Sequence, residues 1–152
     1  MAKFVYKLQN VLDIKMKLET QAKTSYAVAV AKLNEEEEKL KELVAIKHRY
    51  EDEYRQMGNK KISVADLISC KQCIDHSRER IKQQNISIKT AQKNLEIARF
   101  RLSEAVKDRK IHEKLREKAF EQFLAEISET EKKEIDELVS YKYNSKDEAG
   151  DE

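Results

Sequence analysis

The cysteines and histidines are the residues of this chain whose types and spacing could support chemistry. Cys70, Cys73 and His76 stand three residues apart, so a helix would place them on neighbouring faces. A structural zinc site needs four ligands, and the sequence offers no second pair unless His48 approaches from another segment. We therefore interpret the two cysteines as small residues packed in a helix seam, and we predict no metal, no cofactor and no redox role.

No other group of side chains in the sequence fits a catalytic site. His48 and His112 lie among charged residues, and neither has a nucleophile near it in register. The chain has no glycine-rich phosphate loop, no nucleophile elbow and no zinc-hydrolase motif. The run Glu35–Glu38 could be an acidic docking patch, but four consecutive residues cover all sides of a helix, which favours a solvated surface. We predict that the protein is not an enzyme.

Composition indicates which elements carry these residues. The chain has 152 residues, 39% of them charged, no proline and two glycines, Gly58 and Gly150. Its mean hydropathy is −0.83, which is too polar for a compact globule to fill a core. Such a composition suits either a disordered chain or helices that bury a narrow stripe, and the periodicity of the apolar residues decides between them.

The second half of the chain carries an uninterrupted heptad pattern. Large aliphatic residues recur every seven positions, beside a companion row of small or polar residues. The first row is Leu67, Ile74, Ile81, Ile88, Leu95 and Leu102, and the second is Cys70, Ser77, Gln84, Ala91, Ala98 and Ala105. A large row beside a small row predicts a seam for a single partner helix. In the first half, the apolar series from Phe4 to Met57 also has helical spacing, with a four-residue slip predicted near Ala29–Leu33.

The segment between these patterns predicts one turn. Gly58 and Asn59 tolerate the left-handed conformation that ends many helices, and Ser63 can cap the next helix with Asp66 three residues later. We predict an all-α fold: a two-helix antiparallel coiled-coil hairpin, with the second helix longer than the first. The expected bounds are a coiled coil over 1–144, made of helix 3–57, turn 58–63 and helix 64–142, and then a disordered acidic tail over 145–152.

The unequal helix lengths predict an overhang. With the turn near Lys60, Phe4 should lie opposite Leu115–Lys118, which leaves later residues of the second helix without a partner helix. Their apolar stripe, including Phe120 and Phe123, should then seek another protein. The densest basic stretch stands where the overhang begins, and it is either a solvated flank or a docking site for an acidic partner. Its residues are Lys107, Arg109, Lys110, Lys114, Arg116 and Lys118.

Charge and hydropathy restrict the partners further. Formal net charge is +2, with +8 over residues 60–118 and −7 over residues 119–152. The acidic end, and the absence of aromatic residues among the basic ones, argue against nucleic acid as a partner. No apolar run reaches the roughly 18 residues of a membrane span, and no signal peptide is visible. These features predict a cytoplasmic protein without direct membrane insertion, in which the cysteines are free thiols.

Three segments in matching order resemble the flagellar FliJ family. They are the opening FVYKLQNVLDIK (Phe4 to Lys15), the stretch LSEAVKDRKIHEKLREK (Leu102 to Lys118) and the closing EKKEIDE (Glu131 to Glu137). The likeness extends from Phe4 to about Tyr143. Each segment alone has the composition of any coiled coil, so the resemblance rests on their order, the chain size and the single turn.

The resemblance implies a set of partners. FliJ proteins are coiled-coil stalk components of the flagellar type III export apparatus, similar to the long helices of the rotary ATP synthase γ subunit. It implies contacts with the export ATPase hexamer, the export gate protein FlhA and export chaperones. It also implies peripheral association with the inner face of the cell membrane, and a monomeric rod when the protein is alone. The family's gate-contacting positions correspond to Leu43, Ile46, Tyr50, Cys73, Ser77 and Arg80. The ATPase-binding hypothesis uses Lys107, Arg109, Lys110, Lys114, Arg116, Phe120 and Phe123.

The leading interpretation is thus a non-enzymatic component of flagellar protein export and motility, which promotes assembly of the ATPase ring, links it to the gate and escorts chaperones. Two alternatives remain: a stalk protein of a virulence type III secretion system, and a generic structural coiled coil.

Overall fold

A computed structural model describes residues 2–147, and the side chains of residues 2–142. Two helices make up the fold, α1 (Gln9–Met57) and α2 (Val64–Asp147), and the described residues contain no strand. The helices pack against each other, and α2 is the longer, at 84 residues against 49. The predicted fold class is confirmed.

The ends of the helices differ from the predicted bounds in two places. The helix predicted from residue 3 begins at Gln9, and Phe4 before it makes tertiary contacts with α2. At the other end, α2 continues to Asp147 and includes the first three residues of the predicted tail. The remainder of that tail, 148–152, lies outside the described residues.

The turn between the helices closes without a left-handed residue. The amides of Gly58, Asn59 and Lys60 donate to the carbonyls three residues earlier, at 3.2–3.3 Å, and no residue of the described chain has a positive φ. The expectation of a left-handed helix end at Gly58 or Asn59 is therefore wrong, because the last turn tightens instead. The predicted cap at the start of α2 is present: the Asp66 amide donates to Ser63 Oγ at 3.3 Å.

Contacts divide the chain into two compact units. The terminal unit consists of Met1–Leu18 with Val106–Glu152, and the central unit consists of Glu19–Ala105. In the central unit, Glu36 contacts Gln84 and Tyr50 contacts Cys70, so the two helical segments run antiparallel. In the terminal unit, Phe4 contacts Phe120 and Lys15 contacts Asp108, which gives the same direction.

The α2 seam of the central unit follows the predicted heptad rows. Every residue of both rows from Leu67 to Ala105 is buried or half-buried. The most deeply buried ones are Cys70, Ile74, Ser77, Ile88 and Ala91, at 4–8% exposed. Small side chains let the helix backbones approach, and the aliphatic side chains then fill the space between them.

The α1 seam keeps one register throughout. Positions at steps of seven from Leu12 to Lys47, and from Lys15 to Met57, are buried or half-buried without a break. The predicted slip near Ala29–Leu33 is absent. The sequence pattern suggested it because Glu19 and Glu36, both 7% exposed, occupy two of the seam positions and interrupt the apolar series.

The terminal unit packs around Leu12, which is 2% exposed. Here the α2 heptad continues with Arg109 and His112, both half-buried, instead of large apolar residues. Of the apolar residues in this part of α2, Ile111, Leu115, Phe120 and Leu124 are 43–57% exposed, whereas Phe123 and Ile127 are half-buried. His112 Nδ1 and the Tyr6 hydroxyl are buried without a hydrogen-bond partner among the described residues, which weakens the pairing of these segments.

The overhang begins later than predicted. Phe4 lies beside Arg116, inside the predicted range, and also reaches Phe120 and Phe123 beyond it. Among the described side chains of α2, Ile127 is the last that is half-buried. Side chains from 128 to 142 are all exposed. Among the described residues, no helix is long and apolar enough to cross a membrane.

Candidate functional site

One groove of the central unit contains residues from both helices that the family resemblance selects. Tyr50 and Cys73 line this groove, which ends at the turn. The other residues that line it are Glu53, Met57, Ile62, Asp66, Ser69 and Cys70. Because Tyr50 is half-buried and Cys73 is exposed, the groove presents part of an aromatic side chain and a small thiol, with Arg49 5.9 Å from the Tyr50 ring.

The other positions that the resemblance assigns to the gate fall along the same surface, with one exception. Leu43 precedes Tyr50 by one heptad, and Arg80 follows Cys73 by one heptad, so each continues its helix face in line with the groove. Ile46 is half-buried beside Leu43. Ser77, by contrast, is 5% exposed inside the seam, where it has a packing role and little surface for a partner.

A second groove lies on another side of the same helix pair and has a different character. It is lined by Glu51, Tyr54, Arg55, Lys71, Ile74, Asp75 and Arg78. Charged side chains predominate there, and neighbouring pairs neutralise each other, as in Arg78 with Asp75 at 3.8 Å. The Tyr50 groove is therefore the better candidate for an apolar contact.

The two cysteines have different surroundings: Cys70 is packed between the helices, whereas Cys73 is exposed. Cys70 is buried, and its Sγ donates to the Tyr50 carbonyl at 3.7 Å. Burial raises the pKa of the Cys70 thiol most, and the negative charges of the nearby Glu53 and Cys73 side chains raise it further. The raised pKa keeps the thiol protonated and unreactive. Within the described residues, no three His, Cys, Asp or Glu side chains come together as a metal site.

A polar bridge joins the two helices of the central unit, and it was not predicted from the sequence. The Gln84 amide donates to Glu36 Oε2 at 2.6 Å and to the Glu36 carbonyl at 2.8 Å. Lys32 and Lys39 reach the same carboxylate from the exposed rim, at 3.0 and 3.5 Å. The Lys32 hydrogen bond, and then that of Gln84, lower the pKa of Glu36 below its ordinary value. The occurrence of Gln84 at a heptad position could have predicted this bridge from the sequence, because a buried amide requires a polar partner.

The terminal unit holds the residues of the ATPase-binding hypothesis, and the structure separates them into two groups. Lys107, Lys110 and Lys114 are exposed along α2. Arg109 instead pairs with Glu113 at 2.8 Å and is half-buried. The basic stretch thus presents these lysines outward, while Arg109 supports the local helix.

The second group surrounds Phe4. Its ring packs edge-on against Phe120 at 5.2 Å and is tilted against Phe123 at 5.3 Å between centroids. Arg116 lies 5.9 Å from the same ring, and its Nε donates to Gln9 Oε1 at 3.0 Å. Phe120 and Phe123 are therefore partly covered by the chain's own N-terminal segment, a contact that the sequence analysis assigned to an external partner.

A groove beside this cluster combines apolar and charged groups. Phe4, Leu12, Met16 and Phe120 form its apolar part, and Glu113, Arg116 and Glu117 form its rim. The arrangement can hold an apolar side chain of another protein and orient it with charges. It has no group poised for covalent chemistry.

Comparison with known proteins identifies relatives of the whole chain. The family model described as flagellar FliJ protein matches residues 4–148. No curated protein matches the chain. Among solved structures, that of CT670 from Chlamydia trachomatis, described as a YscO homologue, has a TM-score of 0.78 at 21% sequence identity. The match covers 96% of this chain and 99% of that one. At this identity, the likeness shows a shared fold.

Proposed function

The chain belongs to the FliJ family of type III export components, and we propose that it acts as the coiled-coil stalk that promotes assembly and activity of the export ATPase ring and links the ring to the export gate. The observation that carries this proposal is the family match over nearly the whole chain, combined with two antiparallel helices of unequal length. The protein works by contact and not by catalysis, and it also escorts export chaperones. It resides in the cytoplasm and reaches the membrane through its partners.

The terminal unit is the proposed contact with the ATPase ring. Its exposed lysines at 107, 110 and 114 attract an acidic surface, and the groove beside Phe4 and Phe120 offers an apolar anchor. Electrostatic attraction of this kind speeds association and orients the partner, while the apolar anchor slows dissociation.

The central unit is the proposed contact with the gate protein FlhA. The Tyr50 groove supplies the anchor, and Leu43, Ile46, Cys73 and Arg80 extend the surface along both helices. Ser77 is buried, so its contribution is to the packing beneath this surface.

A virulence secretion system is the second candidate setting. The observation that favours it is the likeness to the YscO homologue from Chlamydia trachomatis over almost the full length of both chains. The two settings differ in the ATPase that the stalk engages, and a direct comparison of ATPases distinguishes them.

The test measures ATP hydrolysis by a purified flagellar export ATPase, and separately by a virulence-system ATPase, as this chain is titrated in. We expect stimulation of the flagellar enzyme, and an apparent affinity about tenfold weaker for the double variant Lys110→Glu/Lys114→Glu. The matched control is Lys89→Glu/Lys93→Glu, with the same charge change and four-residue spacing on an exposed face of the central unit. Equal loss in both variants would contradict the assigned surface, and no stimulation of either ATPase would contradict the proposed function.

A further inference from the structure

The outer face of α2 in the central unit carries an apolar stripe that the helix pair does not use. Ile86, Ile97 and Phe100 are 53%, 45% and 67% exposed. With Thr90 and Lys93 between them, the spacing is i, i+4, i+7, i+11 and i+14, which places all five on one face. The seam residues Ile88, Ala91 and Leu95 lie on the other side of the same turns.

Nothing in the pairing of the two helices requires this stripe. In a two-helix coiled coil, the positions farthest from the seam face water and are normally charged or polar. The corresponding positions earlier in α2 follow that rule, with Gln72, His76, Glu79 and Gln83. The change from polar to apolar therefore begins at Ile86, within one continuous helix and at unchanged seam register.

The side chains between the three hydrophobic residues extend the stripe. The Thr90 hydroxyl is already bonded to the Ile86 carbonyl at 3.1 Å, which leaves its methyl group as the remaining contact surface. The Lys93 stem adds methylene groups while its ammonium reaches water. The stripe is thus about 21 Å long, enough for four turns of another helix.

The charges around the stripe determine which helix would fit. From Lys82 to Arg101, the chain has five basic residues, Lys82, Lys89, Lys93, Arg99 and Arg101, against one acidic residue, Glu96. All six are exposed. A second copy of the same stripe would bring this positive charge against itself, whereas an acidic helix would neutralise it.

We propose that Ile86, Thr90, Ile97 and Phe100 form a docking face for an acidic amphipathic helix of another protein, which binds as a third helix on the outside of α2. The apolar side of that helix covers the stripe, and its carboxylates meet the lysines and arginines that flank it. The proposal rests on exposure, spacing and charge in the central unit and is independent of the proposed ATPase and gate contacts. It adds a partner surface in the middle of the chain.

The probe for this face is a designed 21-residue helical peptide with leucines at the a and d positions and glutamates flanking them, labelled for fluorescence anisotropy. A second peptide has lysines in place of the glutamates. We expect the full chain to bind the glutamate peptide, and Ile97→Ser/Phe100→Ser to lower that affinity about tenfold. The control, Val28→Ser/Ile68→Ser, removes two other exposed apolar side chains, 65% and 53% exposed, and should bind as the parent chain does.

Three results would overturn the proposal: no binding of the glutamate peptide, equal binding of the lysine peptide, or equal loss in the control variant. Sedimentation equilibrium provides a further check without any peptide. A dimer that the Ile97→Ser/Phe100→Ser variant abolishes would show that a second copy occupies the face, contrary to the proposal.

Discussion

The surroundings of Glu36 show that the interior between the two helices is narrow and close to water. It is buried at a seam position, but Lys32 and Lys39 reach it from the rim. In a thick core, desolvation would raise the pKa of such a carboxyl group. Here the hydrogen bonds and the lysine charges outweigh desolvation, and the pKa is lowered. A seam that is one side chain wide remains close to water. The desolvation cost of an ionised carboxylate is therefore smaller there than in a globular core.

Removing the partner of Glu36 tests this bridge. In Gln84→Leu, the carboxylate remains in the seam without its cross-helix donor, and we expect the thermal midpoint to fall by about 3 °C or more. Replacing both residues, Glu36→Leu/Gln84→Leu, should restore or raise the midpoint because two apolar side chains pack against each other. Circular dichroism melts measure both. An unchanged midpoint in Gln84→Leu would show that the bridge does not stabilise the pair; Gln83→Leu, at an exposed position, is the control.

The same residue predicts a pH dependence. Because the folded pKa of Glu36 lies below its ordinary value of 4.5, the ionised form contributes stability above that value, which is lost as pH falls through the lower folded pKa. Glu36→Gln removes this contribution. We expect its melting midpoint to decline less steeply than that of the parent chain between about pH 5 and pH 3. Parallel declines would contradict the assignment, and Glu37→Gln, at an exposed neighbour, provides the comparison.

At the scale of the element, the segment before α1 packs against α2 without being helical. Residues 2–8 are not an α-helix, yet Phe4 bridges to the Phe120 and Phe123 rings. Two ring pairs at this distance contribute more than a solvent-exposed helical turn would. A non-helical segment covers more distance per residue than an α-helix, which rises only 1.5 Å per residue. The late start of α1 therefore lets Phe4 reach the Phe120 and Phe123 rings.

Phe4→Ala should therefore loosen the terminal unit. We expect a loss of about 1–2 kcal/mol in unfolding free energy, since two aromatic contacts and part of the cover of the Phe120 groove disappear. Hydrogen exchange should show faster amide exchange over 119–127, with the central unit unchanged. Phe100→Ala is the matched control, because Phe100 is 67% exposed and has no ring partner among the described residues. Exchange in 119–127 that stays at the parent rate would exclude this role for Phe4.

At the scale of the whole molecule, the described part of α2 divides at Ile127 into a segment with buried or half-buried side chains and a segment whose side chains are all exposed. Among the side chains that the structure describes, Ile127 is the last that is buried or half-buried, whereas 128–142 present Ile135, Leu138, Val139 and Tyr141 to solvent. Such residues contribute little to the stability of the chain alone. Their exposure on a helix of the FliJ family is consistent with a surface that a larger assembly covers.

Truncation after Ile127 tests this division. The shortened chain should melt within about 2 °C of the parent chain, because the described side chains that it loses are exposed. If the lost segment contacts the ATPase ring, stimulation of ATP hydrolysis should fall even though the fold is intact. A large drop in melting temperature would show that the segment supports the helix pair, and the division would then be incorrect.

Much of this architecture follows from local rules that the sequence displays directly. Six aliphatic residues from Leu67 to Leu102 at steps of seven, no proline, and one plausible turn at Gly58 leave few alternatives to two paired helices. The Ser63 cap and the start of α2 at Val64 were predictable because they depend on neighbours within a few residues. The family resemblance rested on segments of the same kind, and the family match confirms it.

Other features depended on residues far apart in sequence, and only the tertiary structure decided them. The unbroken register of α1 was hidden because Glu19 and Glu36 look like surface residues. Glu36 meets Gln84 of α2 across the seam, and lysines of α1 itself pair with both carboxylates. The positions of Arg109 and His112, and the contact of Phe4 with Phe120, likewise depend on which residues the second helix places opposite the first. Periodicity determines the face that a helix buries, but a charged residue at a seam position can be interpreted only when the atoms across the seam are known.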